Sequence, residues 1–105
     1  MERTIKPEDL KPRIQSTLIL DVRRKSDYDS SSEIVPGSTW KDPEKIADWL
    51  DAVPGNRDVV IYCVRGGSVS NSVLDRLRAA GVQARYIEGG IEGWKTGGGT
   101  TAAKS

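Results

Sequence analysis

Three short apolar runs punctuate an otherwise polar chain: Leu18-Ile19-Leu20-Asp21-Val22, Val59-Val60-Ile61-Tyr62 and Ala84-Arg85-Tyr86-Ile87. Their length and their content of β-branched and aromatic residues predict strands, the first of them buried. Between these runs the period lengthens. Asp42 is an N-cap ahead of Pro43 at a first helical position, and Ile46, Trp49, Leu50 and Val53 then recur at i, i+3, i+4, i+7, which predicts a helix packing one face on a core. Pro54-Gly55-Asn56 closes it. From Ser68 onward Val69, Val73, Leu77 and Ala80 mark a second helical face that Leu74 widens, with Gly81 at its C-terminal stop. Pro7 to Gln15 predicts a short opening helix that Pro12 ends or bends, and Ile91 with Trp94 marks a last helical turn. Arg23 to Thr39, polar and carrying Ser30-Ser31-Ser32 and Pro36-Gly37, predicts a long connection. Strands that alternate with helices over this length imply parallel pairing through right-handed crossovers, an α/β class.

With 105 residues the chain fits one domain, placed at 1–97, and the glycine-, threonine- and alanine-rich stretch that follows predicts a flexible tail over 98–105. The 16 basic and 15 acidic side chains nearly cancel and are interspersed. That balance gives no nucleic-acid footprint and no polybasic membrane surface, and it favours a small diffusible partner or a protein. No apolar stretch is long enough to span a bilayer, and Met1-Glu2-Arg3-Thr4 leads into a charged segment, so the expected location is cytoplasmic. Histidine is absent. Its absence removes cysteine-histidine proteases, imidazole general bases and most zinc sites, and no metal or cofactor is expected.

Cys63 is the only cysteine. It can form neither an internal disulfide nor a CxxC redox pair. It stands where Val59 to Tyr62 breaks into Val64-Arg65-Gly66-Gly67-Ser68 and then into the helical pattern. A strand that delivers a thiol to a glycine-containing turn, followed by a helix aiming its N-terminal amides back at the sulfur, is an arrangement suited to a nucleophile. Arg65 adds positive charge nearby, and the thiolate is the reactive species. The bland alternative is a buried cysteine that ends a core strand as a small hydrophobe.

These residues resemble the rhodanese-like sulfurtransferases. Leu18 to Arg23 with Tyr28 and Pro36-Gly37-Ser38 is similar to the family's first signature, Cys63 to Ser68 to its six-residue active loop, and Tyr86-Ile87-Glu88-Gly89-Gly90-Ile91-Glu92-Gly93-Trp94 to its closing segment. The chain departs from the pattern at Ile34, where the family usually has histidine, and at Val35, where it has isoleucine. The resemblance implies a three-layer fold with a central, mostly parallel sheet flanked by helices. It also implies a single-domain thiosulfate sulfurtransferase: the Cys63 thiolate takes the outer sulfur of a small anionic donor such as thiosulfate, and cyanide or a thiol accepts it from a Cys63 persulfide. Amides from Val64 to Val69 would hold the persulfide charge, with Gly66 and Gly67 serving the backbone. Arg65 would meet the anionic donor, and Ser68 would cap the helix or bond the persulfide. Asp21 and Arg23 are read as a structural ion pair beside the active loop. Phosphatase and arsenate-reductase relatives use a larger loop with arginine six residues after the cysteine, and Val69 holds that position here. Two other functions fit the same residues, a non-catalytic binding module and a redox or persulfide sensor. Trp49 and Trp94 are expected in the core, Trp40 at the pocket mouth, and the Arg23-Arg24-Lys25 cluster as solvated surface.

Overall fold

A computed structural model describes residues 2–104. Its centre is β5 (Asp58–Tyr62), whose residues beyond Asp58 are all buried. β5 lies between β2 (Leu18–Asp21) and β6 (Gln83–Ile87), and the edges are β4 (Thr39–Trp40) beside β2 and β1 (Thr4–Ile5) beside β6. Every pairing in this five-stranded sheet is parallel. The register sets Leu18 opposite Val59 and Asp21 opposite Tyr62 on one side of β5, and Ile61 opposite Tyr86 on the other.

Alternation along β5 divides the core in two, because successive side chains of a strand point to opposite faces. Val59 and Ile61 join a cluster with Leu20 and Val22 under α3 (Ile46–Trp49) and α4 (Ser68–Ala79), which contributes Val73, Leu74 and Leu77. Val60 and Tyr62 join a second cluster on the opposite face, under α1 (Pro7–Leu10) and α5 (Gly90–Thr96), with Leu10, Ile91 and Trp94. Each such fully buried aliphatic side chain contributes about 1.5–3 kcal/mol. The result is the three-layer α/β arrangement, with helices on both faces of a parallel sheet. Trp49 and Trp94 are both buried. No helix among the described residues is long and apolar enough to cross a membrane.

Several expected elements differ. The helix after Asp42 is three short pieces: a 3₁₀ turn at Pro43–Lys45, α3, and a second 3₁₀ turn at Leu50–Ala52. Asp42 does cap it, its carboxylate accepting from the Glu44 N–H at 2.9 Å. The breaks at Lys45 and Trp49 let Ile46 and Trp49 both bury while the indole N–H donates to the Asp42 carbonyl at 2.8 Å. The opening helix likewise changes at Pro12, α-helical over Pro7–Leu10 and 3₁₀ over Lys11–Ser16. The connection after Arg23 holds α2 (Lys25–Asp29) and β3 (Glu33–Ile34).

The expected flexible tail is the largest correction. Residues 98–104 fold back onto the domain, and β7 (Ala102–Ala103) pairs antiparallel with β3; Ser105 lies outside the described residues. Side chains drive the return where composition alone suggested none. The Trp94 indole donates to the Thr100 carbonyl at 2.7 Å, and a Cβ on Gly99 would run into that ring. Thr101 donates to the Glu33 carboxylate at 2.7 Å, and the Lys104 ammonium donates to the Tyr28 carbonyl at 2.7 Å while standing 4.4 Å from the Tyr28 ring centre.

Candidate active site

Cys63 follows β5 directly, at the C-terminal end of the central strand, where open α/β sheets hold their ligands. It is 7 % exposed, and the Gly66 N–H donates to its Sγ at 3.2 Å. The Gly66 contact needs a tight reversal. Gly66 has φ +73°, and a Cβ there would lie 3.3 Å from the Gly89 nitrogen, closer than most real contacts. Gly67, with φ −89°, makes no such demand, so only the first glycine of the pair supplies an unusual backbone angle.

A second element holds the loop. The first amides of α5 donate to the loop's carbonyls, Ile91 N–H to Cys63 at 2.9 Å and Glu92 N–H to Val64 at 3.1 Å. With two of its carbonyls turned to α5, the loop directs the Gly66 N–H at the sulfur. Of the amides expected from Val64 to Val69, Gly66 is the one that donates to Sγ among the described residues. α5 thus buttresses the loop through its N-terminal donors, which would otherwise lack partners.

Helix α4 begins at Ser68, with Gly67 as N-cap and no side-chain capping bond. The expected cap at Ser68 is therefore absent: a residue at the first helical position cannot reach back as an N-cap does. The Ser68 hydroxyl has no hydrogen-bond partner among the described residues and faces a cleft of about 420 Å³ that reaches Cys63. Val64, Arg65, Gly67 and Val69 also line that cleft. So do Arg24, the N-cap of α2 and part of the cluster expected as solvated surface, and Asp27, from the expected long connection. Neither the Arg24 nor the Arg65 guanidinium has a partner among the described residues. Both open toward the sulfur's cleft, where they attract anions. Sequence spacing carried no signal for Arg24, because its place depends on a one-turn helix with no buried residue.

Asp21 and Arg23 lie behind the cleft. Their side chains are 0 % and 2 % exposed and meet at 2.7 Å, Arg23 Nη2 to Asp21 Oδ2. Arg23 also donates through Nη2 to the Glu33 carbonyl at 3.0 Å, and its guanidinium sits 5.4 Å from the Tyr28 ring centre and 5.7 Å from that of Tyr62. Burial opposes the Arg23 charge most strongly, yet hydrogen bonding and attraction from Asp21 raise its pKa above the ordinary value. Burial, then the Asp21 charge, pushes the Tyr62 hydroxyl pKa up, and the neutral phenol bonds Ser38 Oγ at 2.8 Å and the Val35 N–H at 3.2 Å. Trp40 does not line the cleft. It stacks on Tyr28 at 4.8 Å, and its indole donates to the Arg23 carbonyl at 2.9 Å. Among the described residues no three His, Cys, Asp or Glu side chains gather as a metal site requires.

A parallel five-stranded sheet with a cysteine loop at the end of its central strand, buttressed by a glycine-led helix, defines a recognisable class of α/β domain. The rhodanese-like domain model matches residues 6–96, and the chain belongs to that family. The fold is shared with a rhodanese-related protein of Thermoplasma volcanium, at TM-score 0.84 and 21% identity over 96% of this chain and 98% of that one. A rhodanese-like domain protein of Staphylococcus aureus aligns at TM-score 0.76 and 26% identity, covering 89% and 91%. A rhodanese-like domain from Anabaena aligns at TM-score 0.81 and 25% identity, covering 99% and 81%. Among curated proteins, a tRNA 2-selenouridine synthase of Shewanella sp. (strain ANA-3) is 36% identical over 52 residues, and the match spans 50% of this chain and 14% of that protein's length.

Proposed function

We propose that this chain is a sulfurtransferase that carries sulfane sulfur on Cys63. The observation that carries the reading is the Gly66 N–H donated to Sγ at 3.2 Å in a loop two of whose carbonyls are engaged by α5. An amide N–H facing sulfur stabilises negative charge there, first on the thiolate and then on the persulfide. The two unpartnered guanidiniums of Arg24 and Arg65 in the same cleft suit a small anionic donor such as thiosulfate.

In the first half-reaction the Sγ thiolate attacks the outer sulfur of thiosulfate. The new S–S bond forms as the old one breaks, and sulfite leaves with the electron pair. In the second, cyanide or a thiolate attacks the outer sulfur of the persulfide, and the electron pair of the breaking bond returns to Sγ. Charge and atoms balance in both steps, and no side chain need give or take a proton when donor and acceptor arrive as anions. A chain without histidine can support such chemistry.

Intact mass after incubation with thiosulfate tests the reading. A gain of one sulfur, reversed by cyanide and absent in Cys63→Ser, is the expected result. No gain in the wild-type protein would overturn it in favour of a binding module.

A further inference from the structure

The Cys63 loop is held at its start by α5 and at its end by a side chain of α4. The Gly67 carbonyl accepts twice from Asn71, from the backbone N–H at 3.2 Å and from the side-chain Nδ2 at 3.2 Å. Arg3 gives the second bond its direction. Its guanidinium donates to Asn71 Oδ1 from Nη2 at 2.9 Å and from Nε at 3.3 Å. A guanidinium only donates, so the Asn71 atom facing it is the amide oxygen, and Nδ2 is left to turn to Gly67. Arg3 is itself fixed at both ends. Its carbonyl accepts from the Tyr86 N–H at 2.9 Å just before β1 joins β6, and its Nη1 meets the Asp75 carboxylate at 3.0 Å, one helical turn beyond Asn71. An ion pair this exposed adds little to global stability, so the consequence of the network lies in what it places. The contacts run from the sheet edge, across the start of α4, to the residue after Gly66.

We propose that Asn71 is a positioning residue for the Cys63 loop and that Arg3 sets its orientation. The proposal rests on the sulfur-transfer reading above and adds to it the side chains that aim the Gly66 N–H. Two glycine α-carbons separate the N–H that faces Sγ from the carbonyl that Asn71 holds. Glycine is the freest residue of a backbone, so this stretch keeps one shape only if it is tied from outside. On one side of Gly66, α5 fixes the Cys63 and Val64 carbonyls. Asn71 supplies the matching tie on the other side, and the Gly66 N–H is set between the two. A donor already in place when charge shifts at Sγ needs no reorganisation during sulfur loading. Neither Arg3 nor Asn71 lines the Cys63 cleft, so both act through Gly67.

Single-turnover persulfide formation from thiosulfate, followed by intact mass, tests the proposal, because it separates the amplitude, the maximal rate and the half-saturating concentration. Asn71→Leu removes both side-chain bonds and is expected to lower the maximal rate about fivefold. Amplitude and half-saturation should stay at wild-type values, since Arg24 and Arg65 are untouched; partial unfolding would instead reduce the amplitude. Arg3→Met frees the Asn71 amide to turn and is expected to lower the maximal rate about threefold. Arg3→Lys keeps a donor for Oδ1 and should recover most of that loss. In the Asn71→Leu background Arg3→Met should have no further effect, and additive losses would overturn the route through Asn71. Protection of the Gly66 amide against exchange, measured by NMR on the unloaded protein relative to the intrinsic rate, is independent of sulfur transfer. It should fall in Asn71→Leu and in Arg3→Met. If wild type forms no persulfide, the sulfur-transfer reading fails and Gly66 still decides the positioning: lost protection in both variants supports it, and unchanged protection overturns it.

Discussion

Gly90 stands against Cys63 so closely that a Cβ on it would fall 2.5 Å from the Cys63 carbonyl oxygen. The same atom would fall 2.5 Å from the Val64 oxygen, and Gly90 has φ +64°. Both carbonyls are the ones that α5 engages, so the loop's shape depends on a missing side chain in a different element. Gly90→Ala combines left-handed strain with a backbone collision and is expected to cost at least about 3 kcal/mol in urea unfolding, while disrupting persulfide formation. Gly67→Ala meets nothing within 4 Å and has an ordinary φ, so it is expected to cost less than about 1 kcal/mol. Equal costs would show that the close approach to Cys63 does not shape the loop.

The buried pair behind the cleft sets a second expectation. Asp21→Ala leaves the Arg23 guanidinium at 2 % exposure without its carboxylate, and losing one partner of a buried pair costs about 3–5 kcal/mol. Asp21→Ala with Arg23→Leu removes both charges and is expected to cost less than the sum of the two single changes. Urea midpoints of the four proteins check this. Additive costs would mean that the two residues do not stabilise one another.

How much of this was legible beforehand depended on how local the signal was. β2, β5 and β6 announce themselves because buried strands must be apolar on both faces, and α4 because its buried residues recur at helical spacing. The Cys63 loop was legible for the same reason, as the joint between two such elements. α2 was not: Lys-Ser-Asp-Tyr-Asp buries nothing, so no period marks it, and Arg24 and Asp27 could not be assigned to the cleft. β1, β3, β4 and β7 are two residues each, and they exist through partners far away in sequence. The tail has the composition of a linker, whereas its order comes from Trp94, Glu33 and Tyr28. The role of Gly90 as a spacer beside Cys63 became visible only when the sheet brought the two loops together.

Glu33 links the returning tail to the segment that shapes the cleft, and this link titrates. A hydrogen bond from Thr101, then one from Lys95, holds the Glu33 carboxyl below its ordinary value of 4.5. A depressed folded-state pKa stabilises the fold above the unfolded value, and the contribution disappears as pH falls through the folded one. Acidification below about 4.5 is therefore expected to loosen β3 from β7. Protection of the Lys104 amide, whose N–H donates to the Ser32 carbonyl at 2.9 Å, taken relative to the intrinsic exchange rate at each pH, should fall over that window in wild type. Glu33→Gln should show lower protection at neutral pH and lose the acid-dependent step. An identical pH profile in the two proteins would remove Glu33 from the tail's anchorage.

Phosphoryl transfer is the rival chemistry for a cysteine loop of this kind, and the cleft can be judged against it. Asp27 could serve as a general acid, and Arg24 and Arg65 could attract a phosphate, so charge alone does not decide. What phosphate needs in addition is donors fixed around three equatorial oxygens. Here the loop runs six residues, Cys63 to Ser68, and Val69, in the first turn of α4 and packed against the core, holds the position at which the phosphatases that the loop resembles carry arginine. Wild-type protein is therefore expected to be inert toward aryl phosphates and arsenate while forming the Cys63 persulfide. Lengthening the loop by one residue and installing arginine at the Val69 position is expected to weaken sulfur transfer, since the loop would then surround a larger group. Aryl phosphate turnover by the wild-type chain, abolished by alkylating Cys63 and slowed in Asp27→Asn, would replace the sulfurtransferase reading with a phosphatase.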